Sequence, residues 1–280
     1  MEPSSLRSAS GPPAGGSSAA PLAAALSRVD KMKPILPVLT LALLSVFACS
    51  PSPQATTAIQ PTGTLITDDY FPLTVGTYWI YEGTVTWTVE AKVEEKAIQW
   101  KMEVVEVIPA VHNNGVTAYV LKGHPRDLAW YEEGKERSDY LIIRSGQSRF
   151  YYANIDVLPR LSDKDDNLYN LVEDNKLFLD IPLVPQKKFC EAEHITMYDG
   201  GYCWIVGEEN QVEPGNIKGL ETSVKLTEYG IWKGTQPDDE YVGFIPGVGI
   251  SRYRYNHHGT ISQANVELVE FHLGSSEGGS

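Results

Sequence analysis

Between Thr84 and Val93 the chain alternates without a break. Val85, Trp87, Val89, Ala91 and Val93 point one way, and Thr84, Thr86, Thr88, Glu90 and Lys92 the other. A period of two puts successive side chains on opposite faces of a strand, whereas the apolar face of a helix returns every 3.6 residues. One apolar face and one polar face are what an antiparallel sheet with a single buried side requires. Glu94, Glu95 and Lys96 then supply a polar turn. Ile98, Trp100, Met102 and Val104 resume the apolar face against Gln99, Lys101 and Glu103. At Val104-Val105 the phase slips to Val105 and Val107, which predicts a bulge or a bend.

The same reading places further strands at Val116–Leu121, Leu128–Tyr131, Tyr140–Arg144, Phe150–Ala153, Leu177–Ile181, Tyr202–Val206, Leu220–Tyr229 and Tyr241–Ile245. A closing hairpin runs from Ile250–Tyr255 through His258-Gly259 to Gln263–Leu273, and its phase slips between Leu268 and Val269. Only Leu161 to Asp174 reads as helical. About a dozen short strands joined by short turns predict an all-β fold. The expected form is an antiparallel meander closed into a barrel or a strongly curved sheet, with little helix. The expected division is an N-terminal extension and signal peptide over residues 1–48, a tether over 49–68, one β domain over 69–273 and a flexible tail over 274–280.

The segment ahead of the domain has a different character. Residues 1–31 are rich in Ala, Ser, Pro and Gly and carry no apolar period. Met32 and Lys33 then give a short basic start to an uncharged run, Pro34 to Ala48. As a helix that run would span about 22 Å, short of the roughly 30 Å of hydrocarbon a membrane span must cross. It ends Val46-Phe47-Ala48-Cys49, a branched apolar residue at −3, a small residue at −1 and Cys at +1. This resembles the bacterial lipoprotein signal, with Phe47 departing from the small or polar residue usual at −2. The resemblance implies cleavage before Cys49, diacylglycerol on its sulfur and an exported protein anchored at the outer membrane or cell surface. Ser50 to Ala58 is a Ser/Thr/Pro stretch of the kind that holds a folded domain off a membrane. Phe71-Pro72-Leu73, Gly76, Trp79 and Tyr81 resemble the Phe-Pro-Leu-x-x-Gly-x-x-Trp-x-Tyr opening of many exported bacterial β proteins, a likeness that implies no activity.

Charge narrows the partners. The formal balance is −13, and without the four basic and two acidic residues before Cys49 it becomes 19 basic against 34 acidic, or −15. Such a domain repels nucleic acid and anionic headgroups, so no nucleic-acid partner is expected and the membrane is met only through the anchor.

Three cysteines are present. With Cys49 lipidated, Cys190 and Cys203 remain as an even pair in an oxidising compartment, flanking an Asp199-Gly200-Gly201 turn signal. They are expected to form a disulfide. A zinc set of Cys190, His194 and Cys203 would lack a fourth ligand at motif spacing, and a Cys–His nucleophile would lack an orienting partner.

No other motif carries chemistry. Asp163 to Asp174 begins like a calcium loop but has Leu168 in place of the turn Gly. His257-His258 precedes Gly259 at a turn without a third ligand, and Gly247-Val248-Gly249 lacks the third Gly of a dinucleotide fingerprint. No catalytic residue, cofactor or metal site is therefore expected. Trp87 and Trp100 lie on the apolar faces of adjacent long strands, where they either fill the core or line a hydrophobic pocket. The expected role is non-enzymatic binding by a lipid-anchored envelope protein whose partner is an apolar ligand or another envelope protein. A carrier of lipid in a curved-sheet cavity and a hydrolase with an unrecognised site are the alternatives.

Overall fold

The alternating segment folds as a hairpin. The computed structural model describes residues 69–109, 115–163, 176–191, 202–220, 223–235 and 238–275, all within the Thr57–Ser280 unit of the chain. In it β1 (Tyr78–Val89) turns through Glu90 and Ala91 into β2 (Lys92–Pro109). Both turn residues have positive φ, 47° and 65°, as a two-residue turn matched to strand twist requires. The turn therefore comes four residues before the polar Glu94-Glu95-Lys96, which lies inside β2. Val93 pairs with Thr88 and is exposed, so it does not share the buried face of Val85 and Trp87. The expected bulge is present between Val104 and Glu106, but Val105 and Val107 stay exposed instead of continuing the apolar face.

Ten further strands follow: β3 (Val116–Lys122), β4 (Asp139–Ser145), β5 (Arg149–Asn154), β6 (Lys176–Asp180), β7 (Lys188–Cys190), β8 (Cys203–Val212), β9 (Leu226–Thr235), β10 (Asp238–Ile245), β11 (Gly249–His257) and β12 (Ser262–His272). All twelve form one antiparallel sheet in the order β6-β5-β4-β3-β2-β1-β12-β11-β10-β9-β8-β7. The meander thus runs outward in both directions from β1 and β12, which pair with each other. The free edges β6 and β7 come together where the Leu177 N–H donates to the Glu191 carbonyl, so the sheet is a nearly closed barrel. Helix among the described residues is confined to three 3-10 turns, Pro125–Leu128, Ile155–Leu161 and Pro214–Asn216. The first of these overturns the strand expected at Leu128–Tyr131: Pro125 opens a 3-10 turn there, and Trp130 takes a positive φ of 54°, in the left-handed region and outside the extended one. Residues 164–174, most of the expected helix, lie outside the described residues.

The barrel interior is filled by large side chains. Phe71 sits among Trp79, Phe150, Phe178 and Phe244 with ring centroids 5.4–6.5 Å apart. Aromatic side chains of this size dominate the apolar area a core removes from water. Their polar atoms are bonded across the barrel: Trp79 Nε1 donates to the Val248 carbonyl at 2.6 Å and Tyr81 Oη to the Ile250 carbonyl at 3.0 Å. On β1 the row opens at Gly83, where a Cβ would fall 2.0 Å from the Asn265 carbonyl oxygen of β12. Only glycine admits that approach. The bulge expected near Val269 is found opposite Ile80 and Tyr81, and the Val269 carbonyl accepts from Lys218 N at 2.9 Å.

The connection from β3 to β4, residues 123–138, does not cross outside the sheet. Its Leu128 is fully buried, Tyr131 packs edge-on against Trp87 at 5.0 Å, and the Trp130 N–H donates to Ser262 Oγ at the start of β12. The segment closes one end of the barrel and carries side chains into it.

Candidate functional site

Beneath that connection is a cavity of about 790 Å³. Its strand-borne residues all come from one end of the barrel: Tyr140 at the start of β4, Tyr152 and Asn154 at the end of β5, Lys176 at the start of β6, Lys233 on β9, Asp238 and Glu240 at the start of β10, and Tyr253 and Tyr255 on β11. Cross-strand pairing fixes the rows, since directly opposed residues share a face. Tyr140 opposes Asn154, Tyr152 opposes Lys176, and Glu240 opposes both Lys233 and Tyr255. The β3–β4 connection adds Arg126, Asp127, Trp130 and Lys135.

Glu240 is the hub. It is almost wholly buried, and its carboxylate lies 3.1 Å from Lys233 Nζ and 3.8 Å from Arg126 Nε, and accepts from Tyr253 Oη at 3.2 Å. Burial pushes this carboxyl up, but Arg126 and Lys233 together outweigh that and hold it below its usual range. Lys233, equally buried, donates to Glu191 Oε1 at 2.6 Å and lies 4.8 Å above the Trp204 ring. Glu191 is also 3.9 Å from Lys176. Buried charges survive only when paired in this way. Beside the hub, Asp238 accepts from Tyr255 Oη and from His257 Nδ1, each at 2.7 Å. Asp127 accepts from Tyr140 Oη and from Ser138 N, each at 2.8 Å. Burial, and in second place the bond to Asp238, push the Tyr255 phenol up, and burial and Asp127 do the same at Tyr140, so both stay protonated and act as donors.

His124 anchors the connection from below. Its Nδ1 accepts the Arg126 N–H at 3.1 Å and its Nε2 lies 2.6 Å from Tyr152 Oη, which places the neutral ring's proton on Nε2. Complete burial, aided by Arg126, pushes its pKa down from 6.5 to about 3.

The residues singled out from sequence lie elsewhere or outside the described residues. Cys49 belongs to residues 1–68, which are not described. Cys190 and Cys203 oppose each other on β7 and β8 and are disulfide-bonded with Cα atoms 3.9 Å apart, which removes them as a zinc pair or a nucleophile. His194 and the Asp199-Gly200-Gly201 turn are outside the described residues. Trp87 and Trp100 are both buried, and neither lines this cavity. Trp100 Nε1 donates to the Gly123 carbonyl at 2.8 Å and so ties β2 to the start of the β3–β4 connection. His257 and His258 each pair with a carboxylate, of Asp238 and Asp239, and do not meet at one point. Among the described residues no group of three His, Cys, Asp or Glu side chains is placed to hold a metal ion. The cavity residues themselves were not read from sequence. Tyr253, Tyr255 and His257 alternate with Arg254 and Asn256 on β11, but which set faces inward depends on the barrel's closure.

No protein family matches the chain, and no curated protein matches it. Among solved structures it is similar to a protein of Bacteroides fragilis described as exported with a YmcC-like fold, at 12% identity over 72% of this chain and 98% of that one, TM-score 0.36. It is also similar to a protein of Parabacteroides distasonis described as a lipoprotein, at 12% identity over 72% and 98%, TM-score 0.29. At these scores neither likeness assigns a family or a function.

Proposed function

We propose that this chain is an exported, lipid-anchored binding protein that takes a small polar ligand in the cavity beneath the β3–β4 connection. The observation that carries the reading is the cavity itself. About 790 Å³ of space is lined by eight charged side chains and by six tyrosine and tryptophan rings drawn from separate strands and connections. Ligand sites are concave, partly aromatic and fitted with a few convergent polar groups. A store for lipid would need an apolar lumen, and here the apolar lumen is occupied by Phe71, Trp79, Tyr81 and Phe244. Acid–base catalysis finds little support, since Glu240 is held ionised by its cations and His124 is neutral at physiological pH. The uncharged run ending at Cys49 and the Ser/Thr/Pro stretch after it support export and anchoring.

Hydrogen–deuterium exchange tests the site. The full chain is incubated with the small-molecule fraction of bacterial envelope extract and compared with the chain alone. Binding in the cavity is expected to slow exchange across residues 124–131 and at the β10–β11 hairpin. Unchanged exchange there, or protection confined to other strands, refutes the reading.

A further inference from the structure

The lining of the cavity also indicates its ligand. Trp130 stands at the rim with 49% of its surface exposed. Its φ of 54° lies in the left-handed region, which a bulky side chain occupies only under strain. The strain is held in place by the bond from its N–H to Ser262 Oγ at 3.1 Å and by the His257 ring 4.3 Å away. An indole kept half in water by a strained backbone adds little to the core, and such outliers gather where a ligand is held.

Arg126 has unused capacity. One face of its guanidinium lies over the Tyr152 ring at 5.2 Å, and its nearest carboxylate oxygen is 3.8 Å away, beyond hydrogen-bond reach. Among the described residues its side chain makes no hydrogen bond, so a fork of five N–H donors faces the cavity. These donors call for oxygen acceptors. Asp238 and Glu240 line the same space as acceptors, so the ligand must also donate.

Charge sets the last condition. Arg126, Lys135, Lys176 and Lys233 are matched one for one by Asp127, Glu191, Asp238 and Glu240. A neutral ligand leaves this balance undisturbed, whereas a charged one would add an unmatched charge beside the buried Glu240–Lys233 pair. A quaternary ammonium would in addition meet Arg126 and Lys233 in place of an all-aromatic cage.

We propose that the cavity recognises a neutral saccharide, with the C–H face of one sugar ring laid on Trp130 and its hydroxyls bridging Arg126 to the Asp238 and Glu240 carboxylates. A pyranose ring has one apolar face and, around its edge, hydroxyls that both donate and accept. This assignment rests on the cavity being the ligand site.

The test is titration of the full chain in detergent, followed by tryptophan emission and calorimetry. The probes are cellobiose, maltotriose, lactose and mannotriose, with trigalacturonate, choline and adenosine as the competing chemistries. At least one neutral sugar is expected to bind and to shift indole emission to the blue. Trp130→Ala is expected to weaken that binding tenfold or more, Trp130→Phe by less than threefold, and Arg126→Lys at least fivefold. Circular dichroism and unchanged thermal midpoints check that the variants remain folded, and Trp130→Phe keeps a ring in place if the alanine variant does not. Binding of trigalacturonate, choline or adenosine in a Trp130-dependent way, with no neutral sugar bound, overturns the saccharide assignment and leaves the cavity as a ligand site. Sugar binding indifferent to both Trp130→Ala and Arg126→Lys moves the site elsewhere and overturns both readings. No binding by any probe overturns the saccharide assignment, and the exchange experiment above then decides the cavity separately.

Discussion

Lowering the pH from 7 to 5 protonates, in the unfolded chain alone, a histidine that the fold keeps neutral, and the cost can be worked from its surroundings. His124 is completely buried, accepts the Arg126 N–H and is bonded to Tyr152, and its pKa falls from 6.5 to about 3, first through burial and then through Arg126. The folded state therefore resists a proton that the unfolded chain takes up below pH 6.5. The stabilisation is complete above that pH and is lost progressively as the pH falls toward about 3. At 1.36 kcal/mol per pH unit the whole window is worth about 5 kcal/mol, of which about 2 kcal/mol is lost between pH 7 and pH 5. Guanidinium unfolding of the oxidised protein at the two pH values, followed by tryptophan emission, measures the loss. His124→Asn keeps an acceptor for the Arg126 N–H at the head of the 3-10 turn and removes the titration. The variant should be less stable at pH 7, because the Tyr152 bond goes, yet its fall from pH 7 to pH 5 should be smaller by about 2 kcal/mol. Every other residue is common to the two proteins, so the difference between their falls isolates His124. An equal fall in the two proteins would show that His124 is not held neutral and would refute the argument.

Three other outcomes are expected. Glu240→Gln leaves Lys233 and Arg126 without their shared buried counter-charge and should cost about 3 kcal/mol in urea unfolding at pH 7; a loss below about 1 kcal/mol would mean that solvent, not Glu240, compensates them. Because the wild-type Glu240 carboxyl is held low, its contribution is complete above about pH 4.5 and disappears as the pH falls through its folded value, so the variant should lose less on acidification than the wild type. Replacing Cys190 and Cys203 with Ala opens a loop of sequence separation 13 and should lower stability by about 3 kcal/mol, read as a shifted denaturation midpoint without reductant. Cys49→Ser should release the protein from membranes or block its processing, and unchanged fractionation with an unchanged mature mass would count against the anchor.

The strands were legible where alternation was long and the turn carried a mark. Val116–Leu121 and Phe150–Ala153 were each found within one residue at either end, because Gly and Asn clusters bound them. The Glu90-Ala91 turn was missed because neither residue advertises a positive φ. The short β7 offers only three residues to any periodicity. The site was least legible. Leu128–Tyr131 has a strand's composition, yet it is held by contacts with Ser262 and Trp87, both distant in sequence. Lys233, Glu240 and Tyr255 become one row only after β9, β10 and β11 pair in register, and no local window contains that register. Trp87 and Trp100 were conspicuous as large apolar residues but serve to seat the connection that carries Arg126 and Trp130.

The pairing of β1 with β12 has a consequence for the making of the protein. Every other ladder joins strands that follow one another along the chain, so each can form as soon as its hairpin is synthesised. β1 alone must wait for the last strand, and until then the first six strands present its long, Thr- and Val-rich border unpaired. An open border of that kind invites pairing with another chain. Chains that stop short of Ser262 would leave it open permanently, so loss of the final strand should give aggregation or proteolysis rather than a shortened but working barrel. A route that keeps the nascent chain unfolded until its final residues have passed the membrane would remove the hazard, which makes secretion in an extended state a favourable way to assemble this topology.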